Sequence, residues 1–157
     1  KRFIDYVDTV DARSNILISN ILFDEFIKKY TARKYEFIQH LPQFLSNFNI
    51  SNGVIMTNCR TISILSVAMA IVMDAERIFI AGMDGYKQVD SFMKHPVHFY
   101  KESDETEDFE ILMGKHNWNE QLLKQIDNYL VSNNKNGLCI LTPTTHKAFY
   151  KSIENLL

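Results

Sequence analysis

A chain of 157 residues with 46% apolar and 23% charged residues, and only five Gly and three Pro, holds enough apolar sequence for a substantial core and too little polar bias for long disorder. Seventeen Lys and Arg against nineteen Asp and Glu leave a formal charge of -2, which excludes a nucleic-acid function based on broad phosphate neutralisation but leaves room for a local anion site. Cys59 and Cys139 are too few for a disulfide framework or a cysteine-rich zinc site, and their apolar surroundings suit reduced thiols in a cytoplasmic protein.

In chain order, Phe3 to Val10 has the apolar spacing of a short helix, and Asn15 to Phe23 reads as a strand around Ile16, Leu17 and Ile18 followed by a turn. Asp24 to Tyr30 is an amphipathic helix by the spacing of Phe26, Ile27 and Tyr30, and Tyr35 to Gln39 is a short strand. Leu41 to Phe48, with Pro42 near its start, predicts a brief helix that turns Leu41, Phe44, Leu45 and Phe48 inward. Gly53 to Thr57 is a strand after the turn-like Ser51-Asn52, and Asn58-Cys59-Arg60 leads into a helix from about Thr61 to Asp74. This helix is apolar on most faces, so deep burial is expected. Its apolar stretch, Ile62 to Ala75, contains Ser63, Ser66 and Asp74 and is shorter than the roughly 20 residues of a membrane span. Ile78 to Ala81 follows as a strand ending in Gly82, so residues 53–82 predict a β-α-β unit with a right-handed parallel connection.

Met83 to about Asn117 reads mostly as loop, with the acidic group Glu102, Asp104, Glu105, Glu107, Asp108 and Glu110 as a solvated surface that lacks the Asp/Asn/Gly order of a calcium loop. Trp118, Leu122, Leu123, Ile126, Tyr129 and Leu130 form one helical stripe, which ends at the Asn-rich linker before Gly137. Leu138 to Leu141 is a buried strand, Thr142-Pro143-Thr144-Thr145 breaks it, and Lys147 to Leu157 predicts a final helix. The whole is a three-layer α/β domain with a mostly parallel sheet of about four or five strands. It is expected to be a single domain over residues 1–157 and, from its start at Lys1, a fragment of a longer protein.

In a parallel sheet, ligands bind beyond the carboxyl ends of the strands, where loops and helix N-termini converge. Three junctions qualify: Thr57-Asn58-Cys59-Arg60-Thr61, Gly82-Met83-Asp84-Gly85-Tyr86 and Thr142-Pro143-Thr144-Thr145-His146. Arg60 opposes the positive end of the helix dipole, so it either meets a bound anion or pairs with Asp84 or solvent. Asp84, between glycines, either accepts from sugar hydroxyls or caps the next turn, and Thr142 and Thr144 either face a ligand or cap the last helix. His116 either closes over the cleft or begins a helix; His146 joins the cleft from the third junction. His95 and His98 have no third ligand at convincing spacing, so no metal is expected. No Rossmann glycine pattern and no P-loop follows a predicted strand, and no cofactor is expected.

Met56-Thr57-Asn58-Cys59-Arg60-Thr61, the Ser/Ala-rich helix, Ile78 to Tyr86 and Leu141-Thr142-Pro143-Thr144 together resemble a Rossmann-like domain of bacterial surface-polysaccharide biosynthesis proteins. In that group the domain is appended to aldolase-like proteins and is distantly similar to sialyltransferase-like folds. The resemblance covers mainly residues 53–86 and 138–157. It implies a cleft for a phosphorylated sugar or nucleotide sugar, with Thr57, Asn58, Arg60, Thr61, Gly82, Asp84, Thr142 and Thr144 as contacts. If the domain transfers a glycosyl group, His116 or His146 is the expected general base. The rival expectation is a non-catalytic module that positions or dimerises an aldolase-like partner domain.

Overall fold

The computed structural model describes residues 7, 9, 11–19, 24–42, 47–59, 61–85, 95–96 and 106–155. The chain divides into two compact units, residues 1–58 and 59–157. Among the described residues it is an α/β protein with three α-helices and four small sheets. No helix among them is long and apolar enough to cross a membrane.

In the first unit, strand β1 (Ile16–Ser19) runs parallel to β2 (Tyr35–Ile38), with Ile16 opposite Tyr35. The connection contains helix α1 (Asp24–Lys28), whose first turn is acidic and whose last turn carries Lys28, the order that favours a helix dipole. Ile27 on this helix is fully buried. Arg33 then fastens the segment before β1, donating to the carbonyls of Val7, Asp11 and Ser14 at 3.1, 2.9 and 2.8 Å. A three-stranded sheet follows, in which β5 (Val54–Met56) lies between β3 (His40–Leu41) and β4 (Asn49–Ser51). The β4–β5 hairpin turns on Asn52 and Gly53, at φ 51° and 76°. Both values are positive, as a two-residue hairpin turn that follows the strand twist requires, and Asn-Gly is the pair that adopts them at least cost.

The helix expected over Leu41 to Phe48 does not begin at Leu41. That residue pairs with Met56 as a strand, is 49% exposed, and its carbonyl accepts from the Thr57 amide at 3.3 Å. Phe48 is buried as expected, and residues 43–46 lie outside the described residues. The helix expected over Phe3 to Val10 also falls there, apart from Val7 and Thr9.

The second unit is built on two helices that lead into two parallel strands. Helix α2 (Ile62–Val72) buries Ile64, Leu65, Val67, Ala68 and Ile71, and helix α3 (Phe109–Ser132) buries Leu112, His116, Leu122, Leu123, Ile126 and Leu130. Each fully buried Leu or Ile contributes about 1.5–3 kcal/mol over an exposed one, so these stripes hold the unit together. Both helices end alike. Asp74 (φ 61°) and Asn134 (φ 58°) turn the chain out, and the following amides of Ala75 and Lys135 return to the carbonyls of Ala70 and Leu130 at 3.0 and 2.9 Å. Lys135 pairs with Asp74, and Asn136 Nδ2 donates to the Glu76 carbonyl at 3.4 Å, which binds the two helix ends side by side. The next strands, β6 (Phe79–Ile80) and β9 (Cys139–Ile140), pair in parallel with Phe79 opposite Cys139.

Four expectations need correction here. Strand, helix and strand follow one another over residues 53–82, yet among the described residues β6 is hydrogen-bonded to β9, and β5 to β3 and β4. Helix α2 is not deeply buried on all sides, since Ile62 and Met73 at its ends are 74% and 75% exposed. The segment read mostly as loop up to Asn117 contains the paired strands β7 (His95–Pro96) and β8 (Thr106–Glu107) and the first turns of α3. Asp108 and Glu110 belong to the start of that helix, where negative charge is favourable, and Gly114 inside it hid the helical pattern. The final helix is replaced by two 3-10 turns, Lys147–Phe149 and Ile153–Asn155. Tyr150 bridges to Ile140 and the Lys151 amide donates to the Ile140 carbonyl at 3.0 Å, so the chain extends along β9 instead of coiling.

Candidate functional site

The loops beyond the carboxyl ends of β6 and β9 are stitched together by threonines. The Gly82 amide donates to Thr142 Oγ1 at 2.9 Å, Thr144 Oγ1 donates to the Met83 carbonyl at 2.6 Å, and the amide and hydroxyl of Thr145 donate to the Asp84 carbonyl at 2.7 and 2.9 Å. Thr144 Oγ1 also accepts from the His146 amide at 3.1 Å. The expected ligand contacts Thr142 and Thr144 thus spend their hydroxyls on backbone groups, and they set the position of His146.

His146 is buried and stacks on His116, which projects from the inward stripe of α3; the ring centroids are 4.3 Å apart and the planes 3° from parallel. Glu120, one helical turn after His116, places Oε2 at 3.3 Å from His116 Nε2 and at 4.0 Å from His146 Nδ1. Its other oxygen accepts from Lys124 Nζ at 3.0 Å. The three residues bring potential donor atoms within 4.8 Å of one another. Gly85 (φ 82°) closes over this cluster. A Cβ there would lie 2.9 Å from Cε1 and Nδ1 of His116 and would collide with Thr145 Oγ1, so only glycine lets the backbone approach the ring.

Beside the cluster opens a cavity of about 250 Å³ lined by Thr61, Ser63, Gly82, Met83, Asp84, Gly85, Asn119 and His146. Thr61 is the N-cap residue of α2, with extended backbone but no side-chain capping bond, and the first turn of that helix contains no acidic residue. The leading amides of α2 therefore keep their donor capacity at this wall. Thr61 Oγ1 and Asn119 Oδ1 are buried with no hydrogen-bond partner among the described residues. Burying a polar atom in that condition costs about 1–3 kcal/mol.

Of the residues expected from sequence, Thr61, Gly82, Asp84 and His146 line this cavity, and His116 stands behind His146. Thr57 and Asn58 are buried in the first unit, where the Thr57 carbonyl lies 2.9 Å from His40 Nε2. Arg60 lies outside the described residues. Glu120, Asn119 and Ser63 were missed by sequence reasoning, while Gly85 belongs to the second junction it named. For Glu120 a signal existed: His116 and Glu120 are four apart on one helix, the spacing that puts side chains on one face. Cys59 is no rival nucleophile, since burial pushes its thiol up to about 12 and keeps it protonated.

Comparison with protein-family models, with curated proteins and with solved structures finds no match.

Proposed function

We propose that this chain binds a phosphorylated sugar or nucleotide sugar in the cavity at the ends of β6 and β9, as part of surface-polysaccharide biosynthesis, in a Rossmann-like domain with a sheet of four or five mostly parallel strands. The observation that carries the reading is the polar wall of this cavity, in which Thr61, Asp84, Asn119 and His146 come together beyond β6 and β9. The wall contains no Lys or Arg among its described residues, so the phosphate falls to the uncapped amides of α2, which attract anions without a charged side chain. Asp84 and Asn119 suit sugar hydroxyls. If glycosyl transfer takes place, His146 is the group that takes the acceptor proton, with His116 stacked behind it and Glu120 as counter-charge.

The test is a thermal-shift titration with uridine and cytidine nucleotides and sugar phosphates. A ligand at a hundredfold excess over its Kd stabilises by about 2.7 kcal/mol, a rise of roughly 5–10 °C for a chain of this length. The rise should be saturable and should fall away in Asn119→Ala and Asp84→Ala. A flat response to every ligand, together with a stable complex with an aldolase-like protein, would replace this reading by that of a non-catalytic accessory or dimerisation domain.

A further inference from the structure

We propose that His116, Glu120 and His146 form a binding site for one divalent transition-metal cation of the zinc class, open on the side that faces the cavity. Two imidazoles and a carboxylate are the donor set that such cations select, whereas magnesium and calcium take oxygen ligands. Three protein ligands also leave a coordination position for a small molecule, as in open zinc sites. His146 belongs to both the cluster and the cavity wall, so the cluster borders the cavity.

The distances suit one shared ion. Metal–ligand bonds of about 2.0–2.1 Å set tetrahedral donor atoms about 3.3 Å apart. His116 Nε2 and Glu120 Oε2 stand at 3.3 Å, and His146 Nδ1 stands at 4.0 Å from the same oxygen. Lys124 holds the other carboxylate oxygen, which fixes the orientation of Glu120 from outside the cluster. The stacked rings aim their in-plane lone pairs side by side, so a common ion requires one ring to turn about its Cβ–Cγ bond. His116 is held on a long helix under Gly85, while His146 heads a single 3-10 turn. His146 is therefore the ring that turns, bringing Nδ1 toward Glu120 Oε2.

Metal binding at this cluster does not depend on sugar binding in the cavity, and its test has a separate readout. The 157-residue protein, stripped with a chelator, is titrated with Co²⁺ and then with Zn²⁺. The expected result is one equivalent of Co²⁺ with the visible d–d absorption of a low-coordinate site, displaced by Zn²⁺ and unaffected by excess Mg²⁺. Glu120→Gln and His146→Gln should each weaken binding at least ~10-fold, circular dichroism confirming their native helix content. His116 and His146 are both fully buried, so Glu120→Gln, at the partly exposed member of the cluster, is the decisive variant and His146→Gln counts only with native circular dichroism. Absence of a stoichiometric Co²⁺ or Zn²⁺ complex would overturn the proposal, as would affinity unchanged in both variants. A thermal shift by sugar phosphates in chelator buffer would be retained in that case, which separates the two failures.

Discussion

His116 and His146 stack with their centroids 4.3 Å apart, and the backbone of Gly85 covers the edge of His116 where no other residue would fit. A helix, a strand-end loop and a threonine-stitched turn each supply one part of this arrangement. Its consequences are open to direct measurement.

Gly82 and Gly85 lie in one loop at φ 75° and 82°, but a Cβ at Gly82 meets nothing within 4 Å. Gly82→Ala should lose only the backbone cost, about 1–2 kcal/mol. Gly85→Ala should lose a further ~1–3 kcal/mol because the methyl group drives into His116. Denaturant midpoints of the two variants measure the difference, and equal losses would contradict the close approach.

Asp127 on α3 accepts the Leu138 amide through Oδ1 at 2.7 Å, which fixes the entry to β9. Asp127→Ala should destabilise the protein by about 1–3 kcal/mol, since a half-buried amide loses its acceptor, whereas Asp127→Asn retains an oxygen and should lose less. Chemical denaturation of both variants tests this order.

Cys59 has its thiol pushed by burial from 9.0 to about 12. The folded thiol should resist iodoacetamide at pH 8 and react once denaturant exposes it. The sign of the linkage follows: above pH 9 the unfolded chain loses this proton first, so stability falls as pH rises from about 9 to 12. A Cys59→Ser variant should show a weaker alkaline decline, measured by Tm against pH.

Lys135 beside Asp74 lowers that carboxyl below its ordinary 3.8. The pair's contribution is present above pH 3.8 and is lost as pH falls through the lowered value. In Lys135→Met, NMR titration should return Asp74 to the ordinary carboxylate range. The effect on Tm should be small and should vanish in high salt, because Asp74 is exposed.

Several elements were legible because local chemistry alone sets them. The Asn-rich end of α3 and the alternation of short apolar runs with amphipathic helices are readable without a partner, as is the inward stripe through Leu122, Leu123, Ile126 and Leu130. The start of α3 was not legible, since Gly114 and a histidine in the apolar stripe both weaken the helical pattern. The last segment failed for another reason: its helical spacing is genuine, but Tyr150 and Lys151 find a pairing edge at Ile140, and tertiary hydrogen bonds override local propensity.

By itself the sequence determined an α/β chain and marked the loops at Gly82 to Gly85 and Thr142 to His146 as places where chemistry can gather. Only the tertiary structure decided that those loops lie side by side, because β6 and β9 pair in parallel, Phe79 opposite Cys139, and so carry their carboxyl ends to the same edge. It also decided that His116 leaves the solvent and meets His146 and Glu120. A residue's charge and spacing are local properties, whereas the burial and convergence that make a site depend on distant segments packing together.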